Sequence, residues 1–105
     1  MITFGKGKYK VWLKQENIGD DRVFYLGGGE RSHIGSVVIC EPGKKTHIIR
    51  RIGHYDDIVL KPIAEKACKK FNNTIVVIGG VHINNGTKQE IDLLVNNCLK
   101  LAEGI

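Results

Sequence analysis

The chain has 105 residues, of which 42% are hydrophobic and 26% are charged, with a formal net charge of +5. This length suits one core, and no apolar run approaches the ~18 residues that a membrane span needs. The lysines are dispersed, so the positive charge permits an anionic partner without requiring one. We therefore expect a single domain over residues 1–105 that is cytoplasmic and does not contact a membrane.

The three cysteines, Cys40, Cys68 and Cys98, lie in apolar segments with regular periodicity. Their odd number and wide spacing match neither a metal-ligand pattern nor a disulfide framework. We expect them to be buried as small hydrophobic side chains in a reducing compartment.

The first predicted elements are two antiparallel strands. Residues 8–16 alternate between two faces, which predicts a half-buried strand. One face carries Tyr9, Val11 and Leu13, and the other carries Lys8, Lys10, Trp12 and Lys14. A tryptophan among lysines could stack on a nucleic-acid base, but it is more often covered by a partner subunit or by lysine stems. Residues 22–26 then form a second strand that leads into three glycines.

A third and a fourth strand follow. Ser36–Cys40 is a continuous apolar run, typical of a strand covered on both faces. Pro42 and Gly43 suit a type II turn, and residues 46–52 return as the next strand, with Gly35 opposite Arg50. We predict these four strands in meander order.

The second half of the chain alternates helix and strand. Residues 56–71 have helical periodicity, but Pro62 is tolerated only in a first turn, so we expect the regular helix from near Lys61. Residues 74–81 form a strand, and Thr87 with Glu90 makes a capping box for the last helix. The predicted fold class is α+β in the order β-β-β-β-α-β-α, a mainly antiparallel sheet with two helices packed on it.

Three segments that combine glycine and histidine are predicted to meet at one end of this sheet. They are Gly27–Gly35 with His33, Gly53 with His54, and Gly80–Asn85 with His82. A right-handed crossover through the first helix would make the following strand parallel to the strand that ends at Ile52. Glycine-loop amides suit phosphate or carboxylate, and histidines add switchable charge.

Purely structural roles and other chemical roles of these residues remain open. The glycines would also serve a tight bend, and each histidine would also satisfy backbone groups. Zinc would need ligand spacing that three separated segments lack, so we expect no metal. Ser32 beside His33 would suit a hydrolase, but no serine lies in an elbow motif, so we expect no catalytic residue.

Several short motifs resemble a known family through their order and spacing. They are Gly27-Gly28, Ser32-His33-Ile34-Gly35, Gly53-His54, Pro62-Ile63-Ala64-Glu65 and Gly80-Val81-His82-Ile83-Asn84-Asn85. From about Val23 onward, the chain is similar to the prenylated-flavin chaperones, the small D subunit that accompanies gallate and related hydroxyarylic acid decarboxylases. That family is similar in fold to proteasome assembly chaperones. Asn84 stands where the resemblance leads us to expect an aspartate.

The resemblance implies a small homodimer that binds prenylated flavin mononucleotide (FMN) or FMN and helps load it into a UbiD-type decarboxylase. Carried over by position, the cofactor-binding residues would be Gly28, Gly29, His33, Gly35, Gly53, His54, His82 and Asn85. In this hypothesis loop amides hold the phosphate, and the histidines contact the ring system or the phosphate. We expect an accessory chaperone rather than an enzyme.

Two other functions stay open. A protein-only assembly chaperone or scaffold would depend on the Trp12 face and a dimer surface more than on the histidines. A nucleic-acid module would use Trp12 and the lysines around it, with an affinity that falls steeply with salt. We do not expect nucleic-acid binding.

Overall fold

The structure, a computed structural model, describes all 105 residues as a six-stranded mixed sheet with two helices. The elements in chain order are β1 Ile2–Phe4, a 3-10 turn Gly7–Tyr9, β2 Val11–Ile18, β3 Asp21–Gly28, β4 Arg31–Cys40, β5 His47–Arg50, α1 Asp57–Phe71, β6 Ile75–His82 and α2 Lys88–Ala102. The predicted α+β class is confirmed, with β1 as an added strand. Neither helix is long and apolar enough to cross a membrane.

The order of strands in the sheet is β1-β2-β3-β6-β4-β5, so the predicted meander is wrong. β6 lies between β3 and β4, parallel to β3 and antiparallel to β4. Its apolar sequence suits this central position, because a central strand is covered most completely. β5 and β6 are both antiparallel to β4, so they run in the same direction, which confirms the orientation predicted from the crossover.

Two local predictions in the first half need correction. The strand predicted from Lys8 begins at Val11, because Gly7–Tyr9 forms a 3-10 turn in which the amides of Tyr9 and Lys10 donate to the carbonyl oxygens of Lys6 and Gly7. The hairpin after β4 is shifted by one residue, since Ser36 rather than Gly35 pairs with Arg50. The predicted turn is confirmed: Gly43 has φ 72°, and the amide of Lys44 donates to the carbonyl oxygen of Glu41.

One core fills the space between the sheet and the two helices. Alternate residues of the strands face the helices, among them Leu13, Phe24 and Val77, which are at most 2% exposed. They pack with apolar residues of α1 and α2 in a single cluster of 19 buried side chains. Full burial of a Leu, Val or Phe contributes about 1.5–3 kcal/mol, so this layer holds the helices on one face of the sheet.

Helix α1 begins at Asp57, four residues earlier than predicted, with Pro62 inside it. Proline removes one helical hydrogen bond at a cost of about 3 kcal/mol. Val59, Leu60 and Ile63 on the same helix are at most 3% exposed. Their burial, about 1.5–3 kcal/mol each, outweighs the loss and keeps the first turn helical.

An ion pair fixes the start of α1 to β5. Nε and Nη2 of Arg50 donate to the two carboxylate oxygens of Asp57, both at 2.8 Å. Hydrogen bonding to Arg50 holds the pKa of Asp57 below its usual value. This bidentate pair sets the direction in which the chain enters α1 from the loop after β5.

The predicted burial of the three cysteine side chains is confirmed. Burial raises the pKa of Cys98 to about 12, and burial with hydrogen bonding to Cys40 raises that of Cys68 to about 11. Thiols with such pKa values are neutral at physiological pH and therefore poor nucleophiles.

Candidate functional site

The three predicted histidine segments meet at one end of the sheet. His33 lies in β4, His54 in the loop after β5, and His82 at the end of β6. The ring centroid of His33 is 5.1 Å from that of His54 and 6.2 Å from that of His82. The predicted convergence is confirmed, because it depends on the parallel direction of β5 and β6 and not on the hairpin register.

Asp56, just before α1, anchors the cluster, and the sequence analysis missed it. The amide of Val81 donates to Oδ1 of Asp56 at 3.2 Å, and Nε2 of His33 donates to Oδ2 at 3.1 Å. Two glycines make room for this carboxylate. A Cβ at Gly35 would overlap Oδ2, and one at Gly80 would lie 2.8 Å from the carboxylate carbon. Asp56 therefore positions His33, and Gly35 serves the site by lacking a side chain.

Each clustered imidazole uses one ring nitrogen within the protein. Besides the bond from His33 to Asp56, Nδ1 of His54 donates to the carbonyl oxygen of Ile52 at 3.0 Å, and Nε2 of His82 donates to Oδ1 of Asn84 at 3.0 Å. The second nitrogen of each ring has no protein partner. In a neutral imidazole this nitrogen is an acceptor, and protonation makes it a donor. The cluster thus keeps three polar groups for a ligand.

The turn at Gly27–Gly29 lies beside the site, and its amides form hydrogen bonds within the protein. The amide of Gly28 donates to Oγ of Ser32 at 2.9 Å, that of Gly29 to the carbonyl oxygen of Lys10 at 2.9 Å, and that of Glu30 to the carbonyl oxygen of His82 at 2.7 Å. These amides are therefore occupied and do not face a ligand. Gly29 has φ 72°, and a Cβ there would overlap the backbone of His82. Gly28 allows the start of β2 to approach closely, and Gly29 allows the end of β6 to do so.

The remaining predicted site residues, Gly53 and Asn85, differ in whether they line the cleft. Gly53 lies on the wall of the cleft described below and adopts φ 77° in the turn before His54. Asn85 does not line that cleft; its φ of 50° turns the chain towards α2. Asn84 takes the position where an aspartate was expected, and its side-chain oxygen holds His82. An amide suffices for this bond, because it requires only an acceptor.

The histidines open onto a cleft of about 830 Å³ between the starts of the two helices. Its floor is apolar and includes Val59, Val81, Ile83, Ile91, Leu94 and Val95. The polar wall carries the three histidines, Arg31 and Arg51. Neither arginine is paired with a carboxylate; Arg51 donates to the carbonyl oxygen of Ile34 at 2.8 Å. The cleft therefore suits an amphiphilic anion, with its apolar part on the floor and its negative charge at the arginines.

The arginines and the apolar floor were absent from the predicted site. Arg31 and Arg51 each lie two or three residues from a predicted histidine, so proximity in sequence was an available signal. The floor residues belong to periodic helix and strand faces that read as ordinary core. Only the packing of α1 against α2 shows that part of this face stays uncovered.

A sequence model of the prenylated flavin chaperone LpdD-like domain matches residues 5–105. Since the match spans almost the whole chain, the chain belongs to this family of chaperones. The predicted family resemblance is confirmed. No curated protein sequence matches the chain.

The fold is also similar to that of a chain in the crystal structure of a chaperone complex for yeast 20S proteasome assembly. The TM-score is 0.59 at 14% sequence identity, and the alignment covers 97% of this chain and 86% of that chain. At such low identity, the similarity shows a shared fold and nothing about ligands. It agrees with the predicted likeness to proteasome assembly chaperones.

Proposed function

We propose that the protein is a cofactor chaperone that binds prenylated FMN, or FMN, in the histidine cleft and passes it to a UbiD-type decarboxylase. The observation that supports this most is the placing of an apolar floor, three imidazoles and two unpaired arginines around one cleft. Membership of the prenylated flavin chaperone family supports the choice of ligand.

The phosphate of the ligand is assigned to Arg31 and Arg51. Arginine binds phosphate through parallel N–H donors, and a hydrogen bond to a charged group contributes about 1.5–3 kcal/mol. The sequence-based hypothesis gave this role to loop amides, but those of Gly28 and Gly29 already donate within the protein. The arginines are the cationic groups of the cleft that remain free for an anion.

The flavin ring system is assigned to the apolar floor, with its polar edge towards the histidines. A cleft of about 830 Å³ is within the ~300–1,000 Å³ usual for small-molecule sites. The free nitrogens of His33, His54 and His82 suit the N–H and C=O groups at the edge of a flavin. Asn85 and the loop glycines then act on the ligand indirectly, by shaping the backbone around the cleft.

A carrier must release its ligand, and several features of the cleft favour release. Ile58 and Tyr55 on its wall are each 62% exposed, so the ligand would stay partly open to solvent. No serine, threonine, lysine or cysteine side chain lines the cleft, and the three cysteines are buried elsewhere. An accessory protein rather than an enzyme is consistent with this arrangement. We further propose that it acts in the cytoplasm as a homodimer.

A protein-only assembly chaperone is the second candidate function. The observation that favours it is the half-exposed apolar face of the sheet around Trp12, together with the fold shared with the yeast complex. In that case the cleft would have no ligand, and substitution of the histidines would leave partner binding unchanged.

A titration of the purified protein with FMN and prenylated FMN, followed by absorbance and thermal shift, tests the proposal. We expect saturable binding and a higher melting temperature, since a ligand that binds only the native state stabilises it. His33→Ala should weaken binding about tenfold or more, because it removes a cleft donor or acceptor worth ~1–2 kcal/mol.

His47→Ala is the matched control, since His47 is exposed on β5 and does not line the cleft. It should bind the ligand like the wild type. If neither flavin binds the wild type, the cofactor function is refuted and the protein-only function leads. If both histidine variants bind equally well, the ligand site lies elsewhere.

A further inference from the structure

The face of the sheet opposite the helices is apolar across its centre. Residues directly opposite each other on paired strands point to the same face, so the register defines two rows. The first row is Lys14, Tyr25, Ile78, Val37 and Ile49, and the second is Glu16, Val23, Val76, Ile39 and His47. We call these ten residues the open face. Seven of them are apolar or aromatic.

This composition differs from that of a sheet face in contact with water. An antiparallel strand with one face in contact with water alternates apolar and polar residues. A strand with a continuous run of apolar residues is typically covered on both faces. β6 begins with Ile75-Val76-Val77-Ile78, and of these four residues only Ile75 and Val77 are fully buried. Val76 and Ile78 keep part of their surface exposed. The two helices cover one face of the sheet, whereas the sequence of its central strand is typical of a sheet that is covered on both faces.

A shallow groove of about 300 Å³ lies beside the rows at the histidine end. It is lined by Trp12, Tyr25, Ile34 and Ile78, among others. The ring of Trp12 lies over Gly27, at the position that a Cβ there would occupy. The aromatic side chain is thus held flat on the sheet and extends the apolar area of the open face.

The charges of the open face cancel. Lys14 and Glu16 form an ion pair with 3.8 Å between Nζ and Oε1, and no other lysine, arginine or carboxylate lies in the two rows. The protein as a whole carries +5. An acidic partner would be attracted to the basic surfaces elsewhere, such as the arginines of the cleft. A neutral apolar face can meet an identical face without repulsion between like charges.

We infer that the open face is where a second copy of this chain docks, so that two sheets pack face to face in the dimer. The side of the molecule that carries the open face has room for such a contact. The molecule measures 38 × 28 × 18 Å, and the shortest dimension suits one sheet plus one helix layer. The side bounded by the two longer dimensions, with the open face at its centre, is large enough for the ~800 Å² that each partner buries in a standard interface.

This inference rests on the homodimer included in the proposed function and names its surface. His33 lines both the open-face groove and the cleft, so the second copy would cover one side of a residue that also faces the ligand. The interface is nevertheless independent of the cofactor, because apolar burial alone would hold it together. The test therefore uses protein without ligand.

Sedimentation velocity over a range of concentrations should show a species of twice the 11.7 kDa chain mass. Tyr25→Lys places an unpaired charge in the middle of the interface and should raise the dimer dissociation constant at least tenfold. Ile49→Lys provides a second variant that folding tolerates, since Ile49 is 64% exposed. It should weaken the dimer in the same direction.

Leu93→Lys is the control, because Leu93 is 44% exposed on α2, on the opposite side of the sheet. It should dimerise like the wild type, and circular dichroism should show that all variants fold. A wild type that stays monomeric would refute the homodimer itself. A dimer that Tyr25→Lys and Ile49→Lys leave unchanged would keep the homodimer but overturn the open face as its interface.

Discussion

Two polar clusters of the molecule differ in how many of their hydrogen-bond donors and acceptors are paired within the protein. At the start of α2, the Glu90 carboxylate binds Lys8 Nζ at 2.7 Å, the Tyr9 hydroxyl at 2.8 Å and the amide of Thr87 at 3.1 Å. In return, Oγ1 of Thr87 accepts from the amide of Glu90 at 3.1 Å. Both oxygens of the Glu90 carboxylate are thus used within the protein, and the predicted capping box is confirmed.

In the histidine cluster at the cleft, only some of the hydrogen-bonding groups are paired within the protein. Its three imidazoles have one bonded nitrogen each and one nitrogen without a protein partner. Two arginines beside them have no carboxylate partner. A complete network contributes to the fold, whereas an incomplete one beside a cleft is what a ligand site requires. Substitutions should therefore affect stability at the Glu90 cluster and binding at the histidine cluster.

Gly35→Ala should have the largest effect, because it should lower both the stability of the fold and the affinity for the ligand. The new methyl group would displace the Asp56 carboxylate and break its bonds to His33 and Val81. Overpacking of this kind costs about 1–3 kcal/mol. We expect a lower melting temperature in calorimetry together with loss of flavin binding. In an Asp56→Ala background, the same substitution should cost less, and purely additive effects would contradict this steric explanation.

Arg51→Ala should affect binding and leave the fold stable, since Arg51 is exposed and its side chain makes only one hydrogen bond in the protein. Loss of one charge-assisted bond to phosphate predicts an affinity for FMN about tenfold lower. Riboflavin, which lacks the phosphate, should bind both forms alike. An equal loss for the two ligands, measured by fluorescence titration, would place the phosphate elsewhere.

Thr87→Ala should affect stability and leave binding unchanged. Removing a helix N-cap costs about 1 kcal/mol, which denaturant unfolding resolves. Thr87 does not line the cleft, so the affinity for FMN should stay at the wild-type value. A variant that loses affinity while remaining folded would show that the two clusters are coupled.

The smallest predicted effect is an acid dependence of the Glu90 cluster. Hydrogen bonds from Lys8, Thr87 and Tyr9 lower the pKa of Glu90 from 4.5 to about 2. A lowered carboxylate pKa stabilises the fold above pH ~4.5, and this contribution is lost as the pH falls towards 2. Glu90→Gln keeps the capping geometry without the charge, so its unfolding free energy should fall less over this range. Parallel profiles for both proteins would assign the acid sensitivity to other groups.

Much of the fold follows from local patterns in the sequence. Alternation and helical periodicity predict the elements, and Thr87 with Glu90 predicts the capping box. The position of β6 between β3 and β4 does not follow, because periodicity records how a strand is buried and not which strands pair with it. The early start of α1 was missed because tertiary burial outweighs the cost of Pro62.

The candidate site was predictable only in part. Glycine within two residues of histidine in three segments indicated the convergence of His33, His54 and His82. Asp56 could not be found this way, because its space is created by Gly35 and Gly80 on two neighbouring strands that are far apart in sequence. The roles of Gly28 and Gly29 were also hidden, since the partners of their amides are set by the tertiary structure.

The most direct test of the central claim follows the four histidine side chains by nitrogen-15 NMR during a titration with FMN. We predict saturable shifts for His33, His54 and His82, while the signals of His47, outside the cleft on β5, stay in place. Binding that leaves the three clustered histidines unchanged, or that shifts His47 instead, would contradict the assignment of the cleft as the cofactor site.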